Sequence, residues 1–293
     1  MKGEVRMSGG VRMSNGVRMS GSLTAAMRAR LEASGAVPRV HDLYEGAGTE
    51  FYERLVGPDR AEIREVLALA RRTEGPILDL AAGSGRVTIP LVRSGNRVTA
   101  IDLSDDMLSH LRRALPEHPS VECIVADMRD FSLGHRYGLV IIGATSITVL
   151  DRAGRSLLYA NVRRHLADGG VFALTVAGGA AAAELAVSRE LEIRVPGPDG
   201  DEPYLFSQQM EEDGAARLVN WARSSDLADG GEVTVLTSRL RVLSAEVLAR
   251  ELTGAGFAEP DVEPVRTHRG DDILLLTTTW AGAHSGGEDH ASD

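Results

Sequence analysis

The chain has 293 residues, 43% hydrophobic, 25% charged and only 4% aromatic, with a formal net charge of −10 at pH 7. This composition is typical of a globular protein, and its acidity disfavours binding to nucleic-acid phosphates, so we expect no nucleic-acid partner. No stretch approaches the roughly 18 apolar residues of a membrane span, and there is no signal-peptide pattern, so we expect a cytoplasmic protein without a membrane partner. The single cysteine, Cys123, cannot form an internal disulfide, which fits a reducing compartment.

Both ends of the chain have almost nothing to bury. Residues 1–22 hold three VRMS units among Gly, Ser and Arg, and residues 282–293 are similarly polar. We predict that both are disordered tails.

Between the tails the pattern alternates between helix and strand. Helices are predicted at 23–34, 59–72 with Asp59 as N-cap, 86–93, 105–115 opened by Ser104, 152–166 and 244–257. Strands are predicted at 76–82, 97–104, 121–127, 137–144, 169–177 and 271–280. Four further short strands are predicted at 191–195, 203–210, 216–224 and 232–243.

This alternation predicts an α/β fold with a doubly wound, mostly parallel, Rossmann-like sheet, because parallel neighbours need helical crossovers. Residues 23–177 would form the cofactor-binding core with its N-terminal helices, and 241–281 would close it. Residues 178–240 would form an antiparallel insertion that acts as a lid over the ligand edge.

A glycine turn follows the first buried strand, in the segment LDLAAGSGR at 78–86. Gly83 and Gly85 have no side chains to obstruct a ligand, so their backbone N–H groups can face a polar group. Ala81 stands where a dinucleotide motif has its first glycine, and no third glycine follows. A pyrophosphate ligand is therefore disfavoured.

Acidic residues end three successive strands: Asp79, Asp102 and Asp127. Asp alone is common in turns and caps, but the ordered set indicates one cleft. A carboxylate at Asp102 can accept hydrogen bonds from two ribose hydroxyls, and Asp127 can accept from an exocyclic amine.

At these residues the sequence resembles the class I S-adenosylmethionine-dependent methyltransferases, over about residues 44–280. The resemblance implies S-adenosylmethionine as cofactor and S-adenosylhomocysteine as product. It implies that Asp79, Ala81 and Gly83 lie along the methionine part of the cofactor and that Asp102 holds the ribose. The other positions that it assigns, beside the adenine or the reacting methyl, are Leu103, Met107, Asp127, Met128, Ala144 and Thr145.

The aromatic segment at 41–55 resembles the entry helix of small-molecule and peptide methyltransferases, which implies that Tyr44 and Tyr52 cover the cofactor; core packing is the alternative. More narrowly, the chain is similar to methyltransferases of daptide-type ribosomal peptide pathways. That similarity implies methylation, or dimethylation, of a peptide's terminal amine. A small-molecule N- or O-methyltransferase, a nicotinamide dehydrogenase and a non-catalytic cofactor-binding partner are the other interpretations.

Methyl transfer requires alignment more than acid–base chemistry. We expect Thr145, Ser146 and His41 to orient the acceptor. The expected acceptor-binding residues are Thr148, Tyr204, Phe206, Gln208 and Trp221. No metal is expected, because His and Cys show no ligand spacing. The chain is expected to be a monomer or homodimer.

Overall fold

The computed structural model describes residues 22–56, 61–267 and 270–280. The α-helices of these ranges are α1 (Ala25–Ser34), α2 (Ala47–Val56), α3 (Ile63–Ala70), α4 (Thr88–Arg93), α5 (Asp105–Ala114), α6 (Arg152–His165), α7 (Gly179–Leu185), α8 (Ser224–Asp229) and α9 (Ala245–Gly254). The strands are β1 (Val37–Asp42), β2 (Ile77–Leu80), β3 (Val98–Asp102), β4 (Val121–Val125), β5 (Tyr137–Ile142), β6 (Leu166–Ala177), β7 (Arg189–Val195), β8 (Glu202–Glu211), β9 (Ala216–Arg223), β10 (Glu232–Arg241), β11 (Asp261–Thr267) and β12 (Gly270–Thr279).

The main sheet has seven strands in the described part of the chain, in the order β11-β12-β6-β5-β2-β3-β4. The five strands from β6 to β4 are parallel, and β12 and β11 add an antiparallel hairpin. From β2 the chain builds outward through β3 and β4, then returns to the other side of β2 for β5 and β6. This reversal creates a crevice at the carboxyl end of β2, where doubly wound sheets bind ligands. The predicted fold class is confirmed.

The central strands are buried on both faces. Every residue of β2 and β5 is buried. Leu78 and Val140 face a core shared with α6 and α9, whereas Ile77 and Leu139 face a core shared with α3, α4 and α5. Helices on both faces explain why these strands are buried at every position rather than at alternate positions. The carboxyl ends of the strands are thereby held in fixed positions.

The outer sheet has five strands among the described residues, in the order β1-β10-β9-β8-β7. Strands β7 to β10 are antiparallel, as predicted for the insertion. Strand β1 pairs in parallel with β10 and was not predicted. Helix α1 packs on this sheet, with Met27 and Leu31 in a cluster with Val233 and Val235. Within the N-terminal segment that we grouped with the core, α1 and β1 thus contact the insertion, whereas the Gly46 N–H donates to Asp106 of the core at 2.9 Å.

Several predicted boundaries differ from the structure. Ser22 was assigned to the N-terminal tail, but it is buried, and its carbonyl accepts a 2.8 Å hydrogen bond from the Asn220 amide. Helix α3 begins at Ile63 rather than at residue 59, and Asp59, the predicted N-cap, lies outside the described residues. The rest of the predicted N-terminal tail, and the C-terminal tail at 282–293, also lie outside them.

Across the described ranges, none of the helices has the length and apolar character needed to cross a membrane.

Candidate active site

A cavity of about 830 Å³ lies between the carboxyl ends of the main-sheet strands and one face of the outer sheet. Its wall contains residues that follow β2, β3, β4 and β5, together with side chains of β7, β8, β9 and β10. Ligand pockets commonly have volumes of about 300–1,000 Å³. This cavity can therefore hold a nucleoside-sized ligand and a second molecule beside it.

The glycine turn after β2 uses its two glycines differently. Gly83 lines the cavity with a φ of 55°, and a Cβ at this position would meet open space. Gly85 has a φ of 96° and does not line the cavity, and its Cβ would lie 2.4 Å from Leu111 Cδ1. Gly83 thus leaves room for a ligand, whereas Gly85 allows the turn to pack against α5. Ala81, which also lines the cavity, has a φ of 55° that glycine would adopt more easily.

Asp102 lies at the end of β3 and lines the cavity. Its Oδ2 accepts a hydrogen bond from the Gly83 backbone N–H, and its Oδ1 accepts one from the Ser104 backbone N–H, both at 2.8 Å. Burial raises the pKa of this carboxyl, and these N–H donors oppose the shift. A carboxylate oxygen has two acceptor sites, so both oxygens can still accept from a ligand.

Asp79 is placed differently from Asp102. It is 1% exposed, and it does not line the cavity. Its Oδ2 accepts a 2.6 Å hydrogen bond from the Thr88 hydroxyl, which links β2 to α4. Burial raises the pKa of the Asp79 carboxyl to about 7. The structure therefore gives Asp79 a role in holding the turn rather than direct contact with the cavity.

The residues after β3 and β4 form a wall with an apolar part and a charged edge. Leu103, which is 67% exposed, lines the cavity together with Met107 and Met128. Asp127 also lines it, and its carboxylate binds the guanidinium of Arg129, whose Nε lies 3.0 Å from each oxygen. This ion pair lowers the pKa of Asp127 against the opposing effect of burial. The wall offers a flat apolar surface beside an ionised carboxylate.

The segment after β5 has a strained backbone. Ala144 and Thr145 have φ values of 54° and 56°, a region that costs a non-glycine residue about 1–2 kcal/mol. The Ala144 N–H donates to Glu62 Oε1 at 2.7 Å, and the Thr145 N–H donates to Thr175 Oγ1 at 3.1 Å. These bonds hold both residues at the cavity wall. Strain held in this way is common at functional sites.

Three hydroxyl side chains line the cavity at this segment: Thr145, Ser146 and Thr148. The Thr148 hydroxyl donates to the Thr145 carbonyl at 2.8 Å, so it is available to a ligand only as an acceptor. The predicted group of hydroxyls is thus brought together at one point of the wall.

Tyr44 and Tyr52 cover one side of the cavity. Their ring centroids are 5.2 Å apart at an interplanar angle of 69°, an edge-to-face contact. Burial raises the pKa of both hydroxyls, so both side chains are neutral phenols at neutral pH. The predicted pair therefore forms a neutral aromatic cover.

The outer sheet supplies the opposite wall. Phe206 on β8 and Trp221 on β9 line the cavity, and their ring centroids are 4.3 Å apart. Leu191 and Ile193 of β7 extend the same surface. These four side chains form an apolar surface on the outer-sheet side of the cavity.

Three residues predicted for the acceptor side do not line the cavity. His41 is exposed on β1, where its side chain has no contact with the acceptor region. Tyr204 lies on the same face of β8 as Phe206, but it packs against Phe51 of α2, and its hydroxyl accepts from Arg54 Nη2 at 2.8 Å. Gln208 is 2% exposed and hydrogen-bonded within the protein. Tyr204 and Gln208 share the cavity-facing side of β8 with Phe206, but contacts with α2 and with the end of α7 and the residues after it occupy their side chains.

Comparisons with known proteins point to one family. A family model described as a methyltransferase domain matches residues 77–170. The crystal structure of the glycopeptide N-methyltransferase MtfA with S-adenosyl-L-homocysteine is 30% identical, and the match covers 88% of this chain and 98% of that one, with a TM-score of 0.60. The chain belongs to the class I S-adenosylmethionine-dependent methyltransferases.

Other relatives of this methyltransferase are matched less completely or less closely. The dTDP-3-amino-3,6-dideoxy-alpha-D-glucopyranose N,N-dimethyltransferase of Streptomyces fradiae is 33% identical over 150 residues, which are 50% of this chain and 53% of that one. The chain thus spans about half the length of the curated relatives that it matches. Streptomyces venezuelae DesVI shares the fold at 20% identity, with a TM-score of 0.60.

The main-sheet side of the cavity fits S-adenosylmethionine, the cofactor of this methyltransferase; MtfA has been solved with it and with its product. The open space at Gly83 leaves room for a ligand, and Asp102 keeps acceptor sites for two hydroxyls. Leu103 presents an exposed apolar face suited to an aromatic ring. Gly83, Asp102 and Leu103 are the residues that would hold the cofactor.

Sequence reasoning missed several charged residues at or beside the cavity, and Glu62 and Arg217 are two of them. Glu62 is 1% exposed and forms an ion pair with Arg86 while it accepts from Ala144, so it joins the turn before α4 to the end of β5. Arg217 lines the cavity from β9. The sequence could have indicated Arg217, because it lies four residues from Trp221 on the same predicted strand and therefore on the same face as that expected acceptor-binding residue.

Proposed function

We propose that this methyltransferase transfers one or two methyl groups from S-adenosylmethionine to an amine, and that the acceptor is the terminal amine of a ribosomally made peptide natural product. The observation that carries this proposal is one continuous cavity with three parts. These are a cofactor wall (Gly83, Asp102 and Leu103), a cluster of hydroxyl groups (Thr145, Ser146 and Thr148) and an aromatic wall (Phe206 and Trp221). The names of two relatives support an amine acceptor: one is a glycopeptide N-methyltransferase and one a sugar N,N-dimethyltransferase.

The cofactor supplies a methyl carbon attached to a positively charged sulfur, which an amine lone pair can displace in line. The protein's task is then to orient the amine and exclude water. Thr145 and Ser146, which line the junction between the two walls, would accept hydrogen bonds from the amine and aim its lone pair. Tyr44 and Tyr52 would exclude water from the same point.

This chemistry needs little help from a base. A free terminal amine has a pKa of about 7.7–8.0, so a substantial share is unprotonated at neutral pH. The exposed position of His41 is consistent with a mechanism that has no dedicated base at that residue. The apolar surface of Phe206 and Trp221 suits a peptide side chain next to the amine.

The test is mass spectrometry of acceptors incubated with the protein and S-adenosylmethionine. The panel contains free-amine peptides, the same peptides with acetylated amines, amino-sugar nucleotides and phenols. We expect one or two methyl groups on the free-amine peptides and none on the acetylated ones. Methylation of amino sugars alone would overturn the peptide assignment, methylation of phenols alone would overturn the amine assignment, and cofactor binding without any product would favour a non-catalytic protein.

A further inference from the structure

Arg217 places a partly buried positive charge at the cavity wall. It projects from β9 into the cavity, on the same side of the strand as Val219 and Trp221. No carboxylate of the described residues forms an ion pair with it. Burial lowers the pKa of its guanidinium to about 10, so it remains charged at neutral pH. A charge removed from water without a counter-ion is costly, which calls for a ligand that compensates it.

Gln208 fixes the orientation of Arg217. Its amide nitrogen donates to the carbonyls of Val187 at 2.6 Å and Glu184 at 3.1 Å, which directs its oxygen toward β9. That oxygen accepts from Arg217 Nη1 at 2.7 Å. Since a guanidinium has five N–H donors, the others remain for the cavity.

Two other arginines of the cavity wall, unlike Arg217, form ion pairs with carboxylates. Arg189 pairs with Glu184 at 2.9 Å, and Arg239 pairs with Glu211 at 2.7 Å. Both charges are therefore offset by a carboxylate, whereas Arg217 contacts the neutral amide of Gln208. Because the chain as a whole has a net charge of −10, a positive site inside its cavity is not a consequence of general basicity.

Along the cavity face of the outer sheet, the side chains change from apolar to positively charged. Trp221 is paired in register with Phe206, the next pair on this face is Val219 with Gln208, and Arg217 follows on β9. Neighbours on one face of a sheet lie about 5–8 Å apart. The Cα atoms of Trp221 and Arg217 are four residues apart on β9, roughly 13 Å, but the Arg217 side chain extends to Gln208 of the intervening pair. A molecule in contact with the aromatic pair can therefore reach the guanidinium with a group that extends past that pair.

We propose that Arg217 binds an oxyanion, a carboxylate or a phosphate, carried by the methyl acceptor, and that Gln208 is its positioning residue. The assignment rests on the proposed function, because it takes the outer-sheet end of the cavity as the acceptor site. The acceptor is then an amine whose apolar part contacts Phe206 and Trp221 and whose anionic group binds Arg217.

The test uses the fluorescence of Trp221. The chain has two tryptophans, so the Trp280→Phe variant leaves Trp221 as the single reporter at the cavity. This protein, saturated with S-adenosylhomocysteine, is titrated with phenylacetate, phenyl phosphate and the neutral phenylacetamide. We expect at least one of the two anions to bind at least about tenfold more tightly than phenylacetamide, as one charge-assisted hydrogen bond would provide. Preference for phenyl phosphate would indicate a nucleotide-linked acceptor, and preference for phenylacetate an acceptor with a free carboxylate.

Substitutions of Arg217 test whether this residue causes the preference for anions over phenylacetamide. Arg217→Met should abolish it without changing the affinity for S-adenosylhomocysteine, and Arg217→Lys should keep it in weaker form. Arg241→Met is the matched control, since it removes the same charge from the outer sheet at a residue outside the cavity wall, and it should keep the full preference. Equal binding of anions and amide, or a preference that survives Arg217→Met, would overturn the proposal. Because no methyl transfer is measured, this result is independent of the outcome of the acceptor panel.

Discussion

The backbone N–H of Gly83 donates a hydrogen bond of 2.8 Å to the carboxylate of Asp102. This bond joins the glycine turn after β2 to the end of β3. These two segments form the main-sheet side of the cavity, and the bond fixes their relative positions. Ser104 donates to the second carboxylate oxygen and opens α5 as its N-cap. Asp102 therefore both shapes the wall and offers its remaining acceptor sites to a ligand.

Replacing Asp102 should weaken cofactor binding more than it weakens the fold. Asp102→Ala removes the charged acceptor for the ribose hydroxyls, and we expect a loss of about 1.5–3 kcal/mol in binding free energy. Calorimetric titration with S-adenosylhomocysteine measures this loss directly. Asp102→Asn, which retains one acceptor oxygen, should lose less.

The control for this experiment is Asp105→Ala, which removes an exposed carboxylate three residues away that pairs with Arg112 at the surface. Its affinity should match that of the unmodified protein. An unchanged affinity in Asp102→Ala would contradict the placement of the ribose at this carboxylate.

The two glycines of the turn should respond differently to alanine. Gly85→Ala drives a methyl group to within 2.4 Å of Leu111 at a φ of 96°, so we expect destabilisation of at least about 2 kcal/mol. Gly83→Ala meets open space and costs only about 1–2 kcal/mol for its left-handed backbone, but it places a methyl group in the cavity.

Chemical unfolding and cofactor titration separate these effects. Gly83→Ala should lose more cofactor affinity than stability, and Gly85→Ala should lose mainly stability. If both variants lost affinity and stability in the same proportion, the distinction between the ligand-facing and the packing glycine would be wrong.

Residues that line the main-sheet side of the cavity could be grouped from the sequence because that side is built from local signals. The parallel strands are short segments rich in apolar residues, and the residues after the carboxyl ends of these strands share one edge of the sheet. Gly83, Asp102 and Asp127 could therefore be grouped before any contact was known. Asp79 has the same sequence signal as Asp102. Its side chain nevertheless points into the protein toward Thr88, a difference that side-chain direction alone decides.

The acceptor side was harder to predict because it depends on pairing between distant segments. Strand β1 has an exposed, Pro-containing sequence and becomes a strand only through parallel pairing with β10. Tyr204 shares strand parity with Phe206, yet α2 covers it with Arg54 and Phe51. Composition could indicate that β8 holds aromatic residues but not which of them the N-terminal segment would cover.

Phe206 and Tyr204 offer a matched pair for testing the acceptor wall. Phe206→Leu removes an aromatic surface from the cavity, so we expect KM for the acceptor to rise by up to about tenfold, the scale of a lost apolar contact, with cofactor affinity unchanged. Tyr204→Phe changes a residue of the same strand outside the wall and should leave KM unaltered. Steady-state kinetics with the acceptor found in the panel measures both, and a larger effect from Tyr204→Phe would place the acceptor elsewhere.

The buried carboxyl of Asp79 should make stability depend on pH. Its pKa in the folded protein is about 7, above the ordinary 3.8. Between these values the folded protein holds a proton that the unfolded chain has released, so the free energy of unfolding falls as pH rises. The contribution amounts to at most about 1.4 kcal/mol per pH unit.

Asp79→Asn isolates this contribution, because asparagine has a similar shape, does not titrate and keeps an oxygen that can accept from Thr88. Urea unfolding from about pH 5 to about pH 8 should show the variant gaining stability relative to the unmodified protein as pH rises, until the carboxyl is fully ionised. Asp105→Asn, at an exposed carboxylate, should show no such trend. Parallel stability curves for Asp79→Asn and the unmodified protein would mean that the Asp79 carboxyl is already ionised at the low end of this range, and that the Thr88 hydroxyl outweighs the effect of burial.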